Sequence, residues 1–184
     1  LFTADHGDMM GDHHLHRKTY AYEGSARIPF LMRYPRGCDA PRGVFDRPVG
    51  LQDVAPTILE TVGLDIPDDM TGQSLWTLVR GGQWREFIHG EHSPCYTPHE
   101  AMHYLTDGKE KHIWFPFDDR ELFFDLSTDR RELRNWAADP AHADRVALWR
   151  KRLVGLLAGR SDGFSDGRRL IAKKETWPAV VKNP

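Results

Sequence analysis

The sequence predicts an α/β chain in two parts. Residues 1–82 read as the closing stretch of an α/β sheet domain, and residues 83–160 as a small antiparallel-sheet-and-helix (α+β) subdomain. Residues 161–184 read as an extended tail. Three observations carry this reading. Leu1-Phe2-Thr3 looks like the end of a buried strand that runs into polar Asp5-His6-Gly7-Asp8, the position where α/β sheets place their sites. Short β-rich runs separated by turn residues follow residue 85. Residues 142–158 then carry apolar side chains at helical spacing.

The elements follow in chain order. Residues 7–27 form a polar loop, and His6, His13, His14 and His16 are four of the ten histidines. Residues 28–34 read as a strand, with Pro29 near its start, where a missing N–H is tolerated. Pro35-Arg36-Gly37 ends it. Asp53 reads as the N-cap of a helix carrying Val54, Ile58 and Val62 on one face, with Pro56 in its first turn and Gly63 at its end. Residues 74–79 read as a short helix stopped by Gly81-Gly82. Strands are expected over 87–91, 101–106, 112–115 and 121–126. The second and third are joined through Asp107-Gly108, a dipeptide suited to positive φ. On 142–158, Val146, Trp149, Leu153 and Leu156 or Leu157 share a face, while Arg145, Arg150, Lys151 and Arg152 decorate the rest. Trp114, Phe115, Phe117, Phe123 and Phe124 lie in these strands and read as core rather than as a base-stacking platform.

Composition excludes several function classes. Lys and Arg number 25 against 27 Asp and Glu, a formal net charge of −2 over 184 residues. That balance gives no electrostatic argument for nucleic acid or an anionic membrane. Arg168, Arg169, Lys173 and Lys174 then read as a solvated basic tail. No apolar run approaches the ~20 residues of a membrane span. Cys38 and Cys95 are too few for a disulfide scaffold. The chain opens on Leu1, inside a strand and with no signal-peptide pattern. The expectation is a piece whose N-terminal part lies upstream. Neither a cytoplasmic nor a periplasmic location follows from these residues.

Some residues have chemical potential. Asp5 offers a hard oxygen and His6 a neutral nitrogen to a divalent cation, but two ligands do not make a metal site. Lys18 carries a compact charge suited to an anionic oxygen or a developing leaving group, although alone it reads as a solvated lysine. Glu23 and Arg27 read as an ion pair that orders the loop. Glu91-His92 follows a strand and reads first as a polar strand end.

Taken together, these residues form a pattern. The run from Phe2 to Phe30, FTADHGDMMGDHHLHRKTYAYEGSARIPF, closely resembles the sulfatase family of the alkaline-phosphatase superfamily. That family shows T-[SA]-D-[HN]-G, then G-D-H, then a lysine, then Y-[ED]-x-S-x-R-[IV]-P. The resemblance continues through Asp53-Val54-Ala55-Pro56-Thr57-Ile58-Leu59, Gly72-Gln73-Ser74-Leu75 and Glu121-Leu122-Phe123-Phe124-Asp125-Leu126, followed by Asp129 and Glu132-Leu133. It covers roughly residues 1–160.

The resemblance implies a fold, a site and a reaction. Residues 1–82 would be the C-terminal part of an alkaline-phosphatase-like sheet domain. Asp5 and His6 become metal ligands, and Lys18 the lysine that contacts the sulfate group and its leaving oxygen. His16, at an often aromatic position, becomes a candidate substrate contact, and His13 at most supports the site. The metal implied is Ca²⁺. Mn²⁺ or Mg²⁺ stay open because His6 stands where many relatives have Asn. The nucleophile implied is a formylglycine made from C/S-x-P/A-x-R. Cys38-Asp39-Ala40-Pro41-Arg42 misplaces that motif and Cys95-Tyr96-Thr97-Pro98-His99 lacks its arginine, so both cysteines read as ordinary thiols and the nucleophile is expected upstream. The whole enzyme would cleave an aryl or carbohydrate sulfate ester to alcohol and sulfate, and this chain alone would be inactive. Its partners are then a small sulfated substrate and the N-terminal part of the same enzyme. Exposed strand edges at Leu1, Phe2, Phe30 and Leu31 also favour a homo-oligomer. Two rivals remain: a phosphonate monoester or phosphodiester hydrolase of the same superfamily, and a non-catalytic C-terminal lobe.

Overall fold

A computed structural model describes residues 1–94 and 97–174, so Cys95 and the last ten residues lie outside it. The chain divides into two compact units. One comprises 1–5 with 29–88, the other 6–28 with 89–184. The loop expected to close the first part is therefore counted with the second, and it holds the short helix α1 (Glu23–Ala26).

In the first unit, β1 (Phe2–Thr3) pairs antiparallel with β2 (Phe30–Leu31), Phe2 opposite Leu31 and Thr3 opposite Phe30. The strand expected over 28–34 thus contracts to two residues. Pro29 donates no hydrogen bond, and β1 offers a ladder only two residues long. Phe2 is 63% and Leu31 62% exposed, as the apolar edge predicted.

The helix α2 (Val54–Thr61) forms where expected, and Gly63 follows it at φ 75. Its faces are not the expected ones. Pro56 and Thr57 are buried, whereas Ile58 is 50% and Val62 63% exposed. Asp53 makes no cap hydrogen bond to the helix. It is fully buried and organises the surrounding loops. Its carboxylate accepts from the Gly50 N–H at 2.9 Å and the Gln73 N–H at 2.9 Å, and binds the Arg85 guanidinium through two contacts of 2.5 and 2.6 Å.

This explains why the Asp53 and Gly72 motifs occur together. A Cβ on Gly72 would sit 1.8 Å from the Gln52 carbonyl oxygen, so only glycine lets Gln73 reach Asp53. Ser74 then caps α3 (Leu75–Val79) by accepting from Trp76 N–H, and Leu75 N–H donates to Thr57 Oγ1 at 2.9 Å.

The second unit is a four-stranded sheet, β3 (Ile88–His92), β4 (Met102–Thr106), β5 (Glu110–Phe115) and β6 (Arg120–Asp125), in that order. Strands β4, β5 and β6 form an antiparallel meander, with His103 opposite Trp114 and Ile113 opposite Leu122. Gly108 turns the β4–β5 hairpin at φ 85.

Both faces of the sheet are covered. On one face, Met102, Ile113, Phe115, Leu122 and Phe124 pack with Ala21 and Tyr22 of the loop 6–28. On the other lie Leu105, His112, Trp114 and Phe123. There α4 (Ala143–Leu157) buries Val146, Trp149, Leu153, Val154 and Leu157. The expected aromatic core is seen, except that Phe117 is only half-buried.

Residues 162–173 are not an extended tail. Phe164 packs edge-on against Trp114 and His103, Ser165 Oγ donates to the Val154 carbonyl at 2.8 Å, and Lys173 N–H donates to the Pro116 carbonyl at 2.7 Å. A buried aromatic outweighs the basic residues around it.

Charges on α4 clamp this face. Arg150 Nε donates to Glu121 at 2.7 Å, and His112 Nε2 lies 2.9 Å from the same carboxylate. Burial raises the Glu121 carboxyl, but the hydrogen bonds from Arg150 and His112 outweigh it and hold the group at about 2. A carboxyl depressed from 4.5 contributes stability above about pH 4.5 and loses it as pH falls toward 2. The Glu121→Gln variant is expected to lose less thermal stability than the parent between about pH 6 and pH 3. Identical losses, read as melting midpoints, would show that Glu121 does not carry this dependence.

Candidate functional site

The loop 6–28 carries three of the four candidate residues, and its backbone is tightly specified. Gly7 N–H donates to the Ser25 carbonyl at 2.8 Å, and a Cβ on Gly7 would sit 2.1 Å from the Gly24 carbonyl oxygen. Asp8 Oδ1 accepts from the Met10 and Arg17 N–H groups at 2.9 and 3.1 Å, closing the loop on itself. Met9 is buried beneath it. His13 is structural: its Nε2 lies 2.9 Å from the Arg131 carbonyl, and its ring stacks on Tyr22 with centroids 4.1 Å apart.

The main anchor of the loop is Lys111, fully buried in β5. Its ammonium donates to the Ala21 carbonyl at 2.7 Å, to Glu23 at 2.8 Å and to Glu132 at 2.8 Å. Glu132 also accepts from the Glu23 N–H at 2.6 Å. The expected Glu23–Arg27 pair exists at 3.4 Å, but Arg27 is 58% exposed there, so it contributes little beside Lys111.

Backbone strain concentrates in this loop. Of the seven non-glycine residues at positive φ among the described residues, five are Met10, His13, His14, Arg17 and Thr19. Thr19, at φ 90, is β-branched, which makes the conformation costly. Its hydroxyl is buried without a hydrogen-bond partner. Lys18 is therefore flanked on both sides by left-handed residues and is itself exposed. Strain of this kind persists only where surroundings over-determine it, and it gathers at functional sites.

The remaining candidates sit as follows. His6 is exposed at the start of the loop, and its Nδ1 lies 2.7 Å from the Gly7 carbonyl. A carbonyl only accepts, so Nδ1 carries a proton, which in the neutral ring leaves the lone pair on Nε2. Asp5 is exposed just after β1 and is counted with the first unit. His16 is exposed on the loop. A pocket of about 230 Å³ opens nearby in sequence, lined by Leu15, Tyr20, Tyr22, Met102, Phe115 and Arg120 among others; neither His16 nor Lys18 lines it.

One arrangement lies outside the expected set. His89, Glu91 and His103 bring their ligand atoms within 4.8 Å of one another. Burial, followed by the neighbouring His103, pushes His89 down to about 4. Glu91 is held at about 2, first by its hydrogen bond with His103 and then, against burial, by Arg160. The sequence offered a signal: His89 and Glu91 stand two apart on a strand, which puts both on one face. Only the register of β4 could add His103.

Comparisons with known proteins bear on the family and the fold. The sequence model of the family described as N-sulphoglucosamine sulphohydrolase, C-terminal, matches residues 11–158. An arylsulfatase of Clostridium perfringens is 41% identical over 175 residues, which is 93% of this chain and 36% of that protein. The solved structure of a 2-O GAG sulfatase superposes with a TM-score of 0.76 at 23% identity, over 93% of this chain and 38% of that one, a likeness of fold. A phosphonate monoester hydrolase from Silicibacter pomeroyi superposes with a TM-score of 0.71 at 30% identity, over 84% of this chain and 33% of that one. The chain spans about a third of the length of the relatives it matches. A match that runs from the anchored loop through the meander to the end of α4 places the chain in the sulfatase family, as its C-terminal portion.

Proposed function

We propose that this chain is the C-terminal part of an enzyme that hydrolyses an aryl or carbohydrate sulfate ester to alcohol and sulfate. The observation that carries the reading is the strained, anchored loop that presents Lys18 between two left-handed residues, in a chain of this family. An ammonium beside the ester lowers the cost of charge developing on the leaving oxygen. His6, its tautomer set by the Gly7 carbonyl, and Asp5 hold two ligand positions for a divalent cation, Ca²⁺ in this reading. When bound, that cation neutralises sulfate oxygens. His16 meets the substrate from the same loop. Cys38 is exposed, and Cys38-Asp39-Ala40-Pro41-Arg42 fits C/S-x-P/A-x-R only far from the family's position for that motif, so in this reading the formylglycine nucleophile is supplied from outside this chain and the chain alone is inactive.

The likeness to a phosphonate monoester hydrolase supports a second reading, in which a phosphonate ester is the preferred substrate. The full-length enzyme is expected to show the higher kcat/KM on an aryl sulfate than on an aryl phosphonate monoester; the reverse order would favour the second reading. Lys18→Ala is expected to lower kcat by about 10²–10³, the usual cost of one oxyanion-stabilising donor, with a smaller change in KM. Unchanged kinetics would remove Lys18 from the mechanism.

A further inference from the structure

We propose that His89, Glu91 and His103 form a binding site for a transition-metal dication of the zinc class, separate from the Asp5 and His6 pair. The three residues belong to β3 and β4, neighbouring strands of one sheet, so their backbone is fixed by the ladder. His89 Nε2 lies 3.2 Å from His103 Nδ1, and that Nδ1 lies 3.3 Å from Glu91 Oε2. Zinc bonds of about 2.0–2.2 Å at tetrahedral angles place neighbouring ligand atoms roughly 3.2–3.5 Å apart. Two edges of the cluster already have that length. The third lies within 4.8 Å, and Glu91, 47% exposed, is the member with room to close it.

Protons alone satisfy this cluster poorly. His103 Nδ1 faces both His89 Nε2 and Glu91. If it carries a proton and donates to Glu91, the His89 lone pair has no proton of its own to meet. If it is bare and accepts from His89, it confronts the carboxylate with a second lone pair. One dication meets all three lone pairs at once, with two imidazoles and one carboxylate as donors, a set suited to zinc.

The surroundings fit ligands rather than a bare ion pair. Arg160 Nη1 donates to Glu91 Oε2 at 2.9 Å and its Nε donates to Asp162 at 2.8 Å, so the carboxylate is oriented and the arginine's charge is itself compensated. With neutral imidazoles, Glu91, Asp162 and Arg160 sum to one negative charge. His103 is packed between Trp114 and Phe164, which fixes its ring and dries one side, while the exposed Glu91 side leaves an entry path and a fourth position for water.

The test uses Co²⁺ as a spectroscopic stand-in for zinc, added to chelator-stripped full-length protein. The parent is expected to take up Co²⁺ with the intense visible absorption of four-coordinate cobalt. Glu91→Gln and His89→Gln should weaken that uptake by roughly 100-fold, and Arg160→Met by roughly 10-fold, the lower end for a residue that orients a ligand. Asp5→Ala should leave the visible band intact, which separates this site from the one proposed for catalysis. Glu91 is exposed, so its variant is not expected to endanger folding; equal melting midpoints without metal verify that. Zn²⁺ should raise the midpoint of the parent and not of Glu91→Gln. A parent without the band, or a Glu91→Gln variant that keeps it, overturns the proposal.

Discussion

Lys111→Met is expected to be the most destabilising single substitution in the second unit, at about 3–5 kcal/mol, the range for removing one partner of a buried ion pair. The methionine matches the shape of the aliphatic stem, so packing loss is small. The cost lies in what is left behind. Glu132 is 3% exposed and loses its cation, and the Ala21 carbonyl loses its donor. Burial already raises the Glu132 carboxyl, opposed by Lys111, so without the lysine it must take up a proton or stay charged in an apolar setting. Glu132 also adopts φ 57, a left-handed conformation kept only because its carboxylate is held by Lys111 and the Glu23 N–H. At roughly 2–4 °C per kcal/mol for a chain of this size, the midpoint should fall by about 10 °C. The double variant Lys111→Met, Glu132→Gln removes the stranded charge and should recover a substantial part of the loss. Amide exchange should also rise selectively in the loop 6–28, because Lys111 joins it to β5. A midpoint within about 1 °C of the parent, or exchange that rises uniformly, would show that the triad does not anchor the loop.

Much of the second unit was legible because its signals are local. Asp107-Gly108 turns a hairpin wherever it falls between β-rich runs, and the apolar face of 143–157 repeats at helical spacing. Local patterns did not reveal the second cover of the sheet. One trace of it is in the sequence: residues 111–116, Lys-His-Ile-Trp-Phe-Pro, are all buried and do not alternate, the mark of a strand covered on both faces. A lysine at its start then has to find anionic partners, and these lie 88 and 21 positions away, at Glu23 and Glu132.

Asp53 misled for a related reason. Its place before a helix fits a cap, but its carboxylate is consumed by Arg85 and by loop N–H groups that no local pattern couples to it. The site divides along the same line. Asp5, His6, His16 and Lys18 stand out as a motif because they crowd into one short stretch. The His89, Glu91 and His103 cluster needs the pairing of two strands to exist at all.

Asp5→Ala is the prediction with the largest expected effect on function. In the proposed metal site Asp5 would supply the negative charge and its neighbour His6 a neutral lone pair. Hard dications prefer anionic oxygen, so removing this carboxylate takes away more binding energy than removing the imidazole does. In the full-length enzyme the variant is expected to lose the bound Ca²⁺, measured as metal content after gel filtration, and to lose sulfate-ester hydrolysis with it. Asp5→Asn keeps an oxygen donor without the charge and should retain part of the metal at raised Ca²⁺. His6→Asn keeps a neutral donor and should retain more. This ordering separates a ligand from a residue that merely supports the loop, because a structural role would lower the melting midpoint of the metal-free protein in step with metal loss. Parent-like metal content in Asp5→Ala would remove Asp5 from the metal site, and with it the expectation that the Asp-His pair supplies two of the ligands.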